Sequence, residues 1–258
     1  MPEPFTLALL AMAAFAAGFV DAIVGGGGLI TVPALLLGLP AVPITTLLGT
    51  NKIVALTGTT IAAGQFVRSK ALRPRDMVGP VIASMIGSAL GVQIAYVFQG
   101  RFDPWMRPTL LVLMVVMLGF TLLKPKLGTA HAPRFGRTGQ IALALGIAFT
   151  LGLYDGFFGP GTGSILIFLF VTVLGFDFLR ASALAKGVNW ASNFAAMVSF
   201  VSRGSFIGLV ALCMAVGNGL GGLLGARMAL EKGAKWVRLV FVVVVSALIL
   251  RLAWQIWG

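Results

Sequence analysis

Long stretches without a charged side chain restrict the fold of this sequence more than any other feature. Such stretches include residues 22–51, 77–100, 108–123, 156–176, 204–226 and 239–250. Most are close to or above the roughly 20 apolar residues that span the hydrocarbon core of a bilayer. Only 10% of the residues are charged, where soluble chains have about 25%. Because the stretches lack the alternation of barrel strands, they predict an all-α polytopic membrane protein.

An acidic residue followed by a glycine run interrupts the first apolar segment, and the same plan returns later in the chain. Residues 18–28 read Gly-Phe-Val-Asp-Ala-Ile-Val-Gly-Gly-Gly-Gly, and residues 152–163 read Gly-Leu-Tyr-Asp-Gly-Phe-Phe-Gly-Pro-Gly-Thr-Gly. Asp21 and Asp155 are 134 positions apart. Glycine and proline oppose helix formation, so each motif predicts a helix that breaks within the membrane.

The same shift of 134 positions relates other parts of the two halves. It brings Lys52 to Lys186 and lays residues 87–91 on residues 221–225. Chance supplies matching glycines easily, but it supplies matching buried charges less often in a chain this poor in charge. The sequence therefore predicts two repeats, at 1–126 and 138–258, joined by a basic cytoplasmic linker at 127–137.

Apolar segments and their boundaries predict the same order of helices in both halves. The predicted helices of the first half are 5–24, 29–39, 44–67, 77–98 and 108–123. Those of the second half are 138–157, 164–174, 181–201, 205–229 and 239–257. The short segments 29–39 and 164–174 each follow a Gly/Pro motif. We expect three full spans and one broken helix pair per half, which gives 8–10 membrane segments.

Three basic loops decide between parallel and inverted repeats. Their net charges are +3 for Arg68–Asp76, +4 for Lys124–Arg137 and +2 for Glu231–Arg238. If each broken helix pair enters and returns, the halves are inverted and all three loops lie on one side. If each motif is one broken helix, the repeats are parallel and the basic loops divide between both faces. The positive-inside rule favours inversion with both termini outside, and it leaves open whether each pair crosses fully or is re-entrant.

Inverted repeats with interrupted segments at matching places indicate the central site of a transporter. A broken helix exposes unpaired N–H groups and the positive end of its dipole, which suits an anion. The candidate substrate-binding residues of the two motifs are Gly25, Gly26, Gly27, Gly28, Gly159, Gly161, Thr162, Gly163 and Ser164. For the glycines of 77–98 and 205–229 we expect a role in close helix packing instead.

Two lysines within predicted spans, Lys52 and Lys186, complete the candidate site. They would give it a positive potential, and nearby amides could donate hydrogen bonds to an anion. These amides belong to Asn51, Asn189 and Asn193. Alternatively, Asp21–Lys52 and Asp155–Lys186 are ion pairs that hold each half together. Either aspartate could also carry a proton for coupling.

Other classes of function find little support in the sequence. Residues 25–28 match neither the dinucleotide-binding fingerprint nor a P-loop, and the chain has no HExxH pair. His131 is the only histidine and Cys213 the only cysteine, so a metal site or a redox pair is not expected. The net charge of +12 resides in loops next to spans, as in membrane proteins. We expect no enzyme activity, cofactor, metal or nucleic-acid partner.

Four segments together resemble the TauE/SafE family, also called the sulfite exporter or TSUP family. They are GFVDAIVGGGGLITVPALLLGLP, GTNKIVAL, GLYDGFFGPGTGSILIFLF and ASALAKGVNW. The resemblance covers nearly the whole chain. It implies a bacterial inner-membrane transporter associated with sulfite export or with movement of organosulfonates and related sulfur anions. It also implies that the motif positions line the substrate route.

These observations predict a secondary transporter of small sulfur-containing anions. We expect an exporter that alternates access to a midplane site between the repeats. Its expected partners are the small anion and the lipid bilayer, and a homodimer remains open. Two alternatives remain as well: a passive anion channel, and a structural subunit of a membrane complex.

Overall fold

The computed structural model describes residues 2–68, 74–101, 103–123, 134–232, 242–243, 246–250 and 253–254, and all regular structure within them is helical. The helices with printed bounds in these ranges are α1 (Pro4–Val24), α2 (Gly28–Gly38), α3 (Ile44–Arg68), α4 (Pro74–Val97), α5 (Asp103–Leu123), α6 (Arg137–Phe157), α7 (Thr162–Thr172), α8 (Phe178–Val201) and α9 (Gly208–Lys232). The predicted all-α class is confirmed. The helix predicted at 239–257 lies mostly outside the described residues.

The helices of the two halves follow one plan. Helices α2 and α7 contain 11 residues each, and α1 and α6 contain 21 each. The starts of α2, α3 and α4 precede those of α7, α8 and α9 by 134 positions, at 28 and 162, 44 and 178, and 74 and 208. The spacing of the sequence motifs is therefore also the spacing of the helices.

Positive backbone φ angles end the first helix of each half at the predicted motif. In the first half Gly25 and Gly26 have φ of 75° and 97°, and in the second half Gly159 and Gly161 have φ of 99° and 82°. A residue with a Cβ is strained in this region, so glycine is required. The short helices then begin within two residues of the predicted positions.

Four helices of the described chain are long and apolar enough to cross a membrane. They cover Pro4–Ala22, Arg75–Val97, Arg137–Phe157 and Gly208–Gly225. Helices α3 and α8 have similar lengths of 25 and 24 residues, but they carry the buried Lys52 and Lys186 and three buried asparagines. Large apolar side chains such as Ile82 and Leu212 are exposed on the outer surface, as a lipid-facing surface requires.

The most extensive helix packing joins one half to the other, through α1 with α9 and α4 with α6. Gly221 lies against the backbone of Phe15, and Gly87 lies against the backbone of Phe149, in both cases too close for a Cβ. The two contacts are images of each other under the 134-residue shift. The predicted role of these glycines in close helix packing is confirmed.

Helices α3 and α8 are counterparts in the two halves, and they lie side by side in opposite directions. Gly49 near the start of α3 lies against Phe200 near the end of α8. Thr60 further along α3 accepts a hydrogen bond from Trp190 Nε1, earlier in α8, at 3.0 Å. These two counterpart helices therefore run in opposite directions where they meet at the centre of the molecule.

Charged side chains mark the two ends of the helix bundle. Near the start of α4, Asp76 lies 3.9 Å from Arg137 at the start of α6. Near the end of α4, Arg203 lies over the ring of Tyr96, 4.2 Å from its centroid. The described ends of two basic loops thus meet at one end of the bundle, and the α8–α9 turn lies at the other. Residues 69–73 and 124–133 of those loops are outside the described residues.

Candidate functional site

The two helix breaks touch each other at the centre of the molecule. A Cβ on Gly25 would lie 2.9 Å from the carbonyl carbon of Gly163, and one on Gly28 would lie 3.3 Å from Pro160 Cα. At Gly25 only glycine permits this approach of two backbones, and at Gly28 a Cβ would be tightly packed. Between the breaks lies a cavity of about 30 Å³, which has room for about two water molecules.

Residues from seven helices and from both breaks line the central cavity. They are Asp21, Gly26, Gly27, Gly28, Thr31, Asn51, Lys52, Ala55, Thr59, Asp155, Gly159, Gly161, Thr162, Gly163, Asn189, Asn193 and Asn218. Most predicted site residues are therefore brought together. Gly25, Ser164 and Lys186 are not part of the lining, although the hydroxyl of Ser164 lies beside Gly26. Substrate binding by the lining stays a prediction.

Two buried ion pairs cross between the halves. Lys52 Nζ lies 2.9 Å from Asp155 Oδ2, and Lys186 Nζ lies 3.3 Å from Asp21 Oδ2. The predicted pairs Asp21–Lys52 and Asp155–Lys186, each within one half, are wrong. The reason is the antiparallel packing of α3 and α8, which carries each lysine to the break of the opposite half.

The two ion pairs balance the charge of the site. Both lysines are 1% exposed, and Asp21 and Asp155 are 8% and 2% exposed. The positive potential predicted from the lysines is therefore wrong for this arrangement, because each ammonium faces a carboxylate. Removing one partner of such a pair costs about 3–5 kcal/mol, since the other charge is left buried alone. The pairs consequently hold the two halves together.

The aspartates occupy the N-termini of the short helices, where the sequence predicted a substrate anion. Asp21 Oδ1 accepts a hydrogen bond from Gly27 N at 3.1 Å, and Asp155 Oδ1 accepts one from Thr162 Oγ1 at 2.9 Å. A carboxylate at a helix N-terminus is stabilised by the helix dipole. An anion that enters this cavity must compete with the protein's own carboxylates for the positive groups.

Amide side chains make the two sides of the cavity unequal. Asn193 Nδ2 donates to the backbone oxygen of Asn189 at 2.7 Å, and both amides line the cavity. Their counterparts under the 134-residue shift are Thr59 and Ala55, which offer fewer hydrogen-bond donors. The α8 side of the cavity is therefore the richer in amide groups.

Asn218 of α9 adds a further amide to the cavity lining. Its Nδ2 donates to the backbone oxygen of Ala14 at 3.2 Å, which fixes the orientation of the amide. Its Oδ1 is buried and has no hydrogen-bond partner within the described part of the chain. A buried acceptor of this kind is destabilising until a donor reaches it.

Sequence reasoning missed four residues of the cavity lining. They are Thr31, Ala55, Thr59 and Asn218. The 134-residue shift contained a signal for Ala55 and Thr59, because it aligns them with Asn189 and Asn193. Thr31 had no such signal; its hydroxyl donates to Asn51 Oδ1 at 2.5 Å.

The chemistry available in the cavity is that of binding. The Lys52 ammonium group, amide N–H groups and glycine backbone of the lining can surround a small anion. Among the residues searched in the described ranges, no group of three or more His, Cys, Asp or Glu could hold a metal ion.

Four helices long and apolar enough to cross a membrane, packed around a buried, charged cavity, fit a membrane protein of the transporter class. The sulfite exporter TauE/SafE family model matches residues 10–252. This chain belongs to the TauE/SafE family.

Relatives with the same overall length support this assignment. A probable membrane transporter protein of Haemophilus influenzae is 40% identical over 90% of this chain and 88% of its own. The probable membrane transporter protein ORF9 of a Sinorhizobium species is 38% identical over 95% of this chain and 92% of its own. The probable membrane transporter protein YfcA of Escherichia coli is 34% identical over 100% of this chain and 93% of its own. No solved structure matches the chain significantly.

Proposed function

We propose that this chain is a secondary transporter of small sulfur oxyanions, with sulfite as the first candidate. The observation that carries the proposal is the central cavity, where Lys52 and the amides of Asn189 and Asn193 meet two broken helices. The family description supplies the sulfur anion. The cavity of about 30 Å³ favours a compact oxyanion over an organosulfonate, because ligand pockets for larger molecules measure about 300–1,000 Å³.

The short helices support a site near the middle of the bilayer. Each has 11 residues and is therefore about 16 Å long at 1.5 Å per residue. That is about half of the 30 Å hydrocarbon core. A helix of this length that starts in the cavity reaches one membrane surface, and its counterpart reaches the other.

The reversed direction of α3 and α8 supports inverted repeats and alternating access. In inverted-repeat transporters one structural unit rocks against the other around a fixed site. In this chain the ion pairs between the halves and the contact between the two breaks lie at the centre of the molecule. This is where one half would pivot against the other. Because the cavity holds only about two waters, its size suits a narrow binding site in such a cycle better than a wide pore.

The distribution of charge supports an orientation in the bacterial inner membrane. Asp76 and Arg137 meet at one end of the bundle, beside the loops that the sequence identifies as most basic. The positive-inside rule assigns this end to the cytoplasm. The first helix then begins outside, and export moves the anion from the Arg137 end to the Arg203 end.

Counterflow in proteoliposomes tests the proposed function. Vesicles that contain the purified chain are loaded with unlabelled sulfite and diluted into a trace of radiolabelled sulfite. A transporter accumulates the label transiently and saturates with concentration. Sulfite flux without counterflow or saturation would instead show a passive channel. The absence of any flux for sulfite, sulfate, thiosulfate and small sulfonates would overturn the proposal and favour a structural subunit.

A further inference from the structure

The two ion pairs occupy equivalent positions in the repeats, but their surroundings differ. Lys186 Nζ donates to the backbone oxygen of Asp21 and also lies 3.3 Å from Asp21 Oδ2. The other carboxylate oxygen of Asp21 accepts from Gly27 N at 3.1 Å. This pair therefore ties α8 to the end of α1 and to the first break through backbone groups. Lys186 does not line the cavity.

The Lys52–Asp155 pair depends on side chains alone and faces the cavity. Both residues line it, and Lys52 Nζ lies 2.9 Å from Asp155 Oδ2. In the part of the chain that the structure describes, this carboxylate is the only hydrogen-bonding or ionic partner of Lys52 Nζ. An anion in the cavity can therefore take over Lys52 without breaking a backbone contact.

We propose that the transported anion opens only the Lys52–Asp155 pair: the anion binds Lys52, Asp155 takes up one proton, and the Lys186–Asp21 pair stays closed throughout the cycle. This inference rests on the proposed function and assigns different roles to two residue pairs that the repeat makes equivalent.

The charge of the site requires the proton. The two lysines and two aspartates sum to zero, so one bound anion would leave the site with a net negative charge. An unpaired carboxylate in a buried site is costly and becomes neutral instead. The groups that face Asp155 are Lys52 from α3 and the Thr162 hydroxyl from α7, with the Lys186–Asp21 pair across the cavity.

The unpartnered oxygen of Asp155 is the one assigned the proton. Asp155 Oδ1 lies 2.9 Å from the Thr162 hydroxyl, whose single hydrogen it shares with Gly159 O at 2.7 Å. Within the described residues Oδ2 has no hydrogen-bond partner, so the proton binds Oδ2 once Lys52 releases it. For an anion that carries a single negative charge, such as hydrogen sulfite, one anion and one proton then cross together, the step carries no net charge, and the membrane potential does not drive it. Export by this route follows the outward gradient of the anion and works against an inwardly directed gradient of protons.

Two matched double variants test this division of roles. Lys52→Gln with Asp155→Asn, and Lys186→Gln with Asp21→Asn, each remove both charges of one pair, so neither leaves a buried charge alone. Sulfite binding to detergent-purified protein is measured by titration calorimetry in buffers of different ionisation enthalpy, which reports proton uptake. Thermal unfolding of each variant is recorded in parallel.

We expect the first double variant to fold but to lose sulfite affinity by at least about 100-fold, since it lacks the only cation that the anion can take over. The second should have a lower Tm, should lose less than about tenfold in affinity, and should still take up about one proton per anion. Equal loss of binding in both variants, or wild-type binding without proton uptake, would overturn the inference.

A second measurement separates failure of this inference from failure of the proposed function. In a Cys213→Ser background, Lys52→Cys and Lys186→Cys are treated in membranes with a small charged thiol reagent. Position 52 lines the cavity and should react, and position 186 should not. This comparison does not require that the substrate is known. Equal reactivity contradicts the division of roles. If reactivity differs but no anion binds the wild-type protein, the proposed function fails and the structural difference between the pairs remains.

Discussion

Lys52 of the first half and Asp155 of the second half form an ion pair with a distance of 2.9 Å between the charged atoms. The pair between Lys186 and Asp21 is its counterpart, because a shift of 134 positions relates Lys52 to Lys186 and Asp21 to Asp155. The glycine contacts follow the same rule. Gly87 of the first half packs on Phe149 of the second half, and its counterpart Gly221 packs on Phe15, the counterpart of Phe149. The halves are thus interlocked through equivalent contacts, both in their packing and in their buried charges.

Exchanging charges should identify the true partners of the lysines. Lys52→Asp alone places two carboxylates together and should cost about 3–5 kcal/mol of stability. Adding Asp155→Lys should restore much of this loss. Adding Asp21→Lys instead should not, because it also places two ammonium groups together at Lys186. The measurement is the yield of monodisperse protein in detergent and its Tm. Rescue by Asp21→Lys would contradict pairing across the halves.

A pair of glycines in α6 should respond oppositely to the same substitution. A Cβ at Gly152 would lie 2.8 Å from Ser84 Cα, and a Cβ at Gly146 would have no atom within 4 Å. Gly152→Ala should therefore force α6 away from α4 and destabilise the protein by about 1–3 kcal/mol. Gly146→Ala should be neutral or stabilising by up to about 1 kcal/mol, because alanine favours helix. Thermal unfolding of both variants in one detergent makes the comparison, and equal Tm values would disprove the close contact.

Single cysteines should show which end of the bundle faces each compartment. In a Cys213→Ser background, Arg203→Cys should react with an impermeant maleimide added to intact cells. Arg137→Cys should react only after the cells are permeabilised, because the positive-inside rule places the basic end in the cytoplasm. Arg137 is well exposed, with 77% of its side chain accessible, so poor access would not explain protection. Labelling of both from outside would exclude the proposed orientation.

The amide of Asn189 should contribute to anion affinity. It lines the cavity, and a hydrogen bond to a charged group contributes about 1.5–3 kcal/mol. Asn189→Ala should therefore weaken sulfite binding by about 10- to 100-fold. Ser199→Ala is the matched control on the same helix, since Ser199 donates to Ala195 O within α8 and does not line the cavity. Calorimetric affinities check the prediction, and equal effects of the two substitutions would remove Asn189 from the site.

Local chemistry made the helix breaks predictable from sequence. Glycines at 25, 26, 159 and 161 adopt backbone angles that other residues avoid, so the short helices could be placed to within two residues. Charged residues within apolar segments were also informative, because a charge in the membrane needs a partner or a polar cavity. Asp21, Lys52 and Asp155 line the central cavity, as expected of costly buried charges.

Tertiary packing decided what the sequence could not show. The 134-residue shift states that Lys52 and Lys186 are equivalent, but it is equally consistent with pairing inside a half and pairing across halves. Only the antiparallel contact of α3 with α8 selects the second. Ala55 was missed because its apolar side chain carries no binding chemistry of its own, although the 134-residue shift aligns it with Asn189.

The crossed pairs also bear on how such a chain could arise. A polypeptide that ended after the first half would bury Lys52 and Asp21 without the partners that neutralise them. Two copies inserted into the membrane in opposite orientations would supply those partners to each other. The ion pairs between the halves are therefore those that two antiparallel copies of one half would make with each other. For such a pair of separate copies, an excess of either orientation would leave unpaired charges within the bilayer.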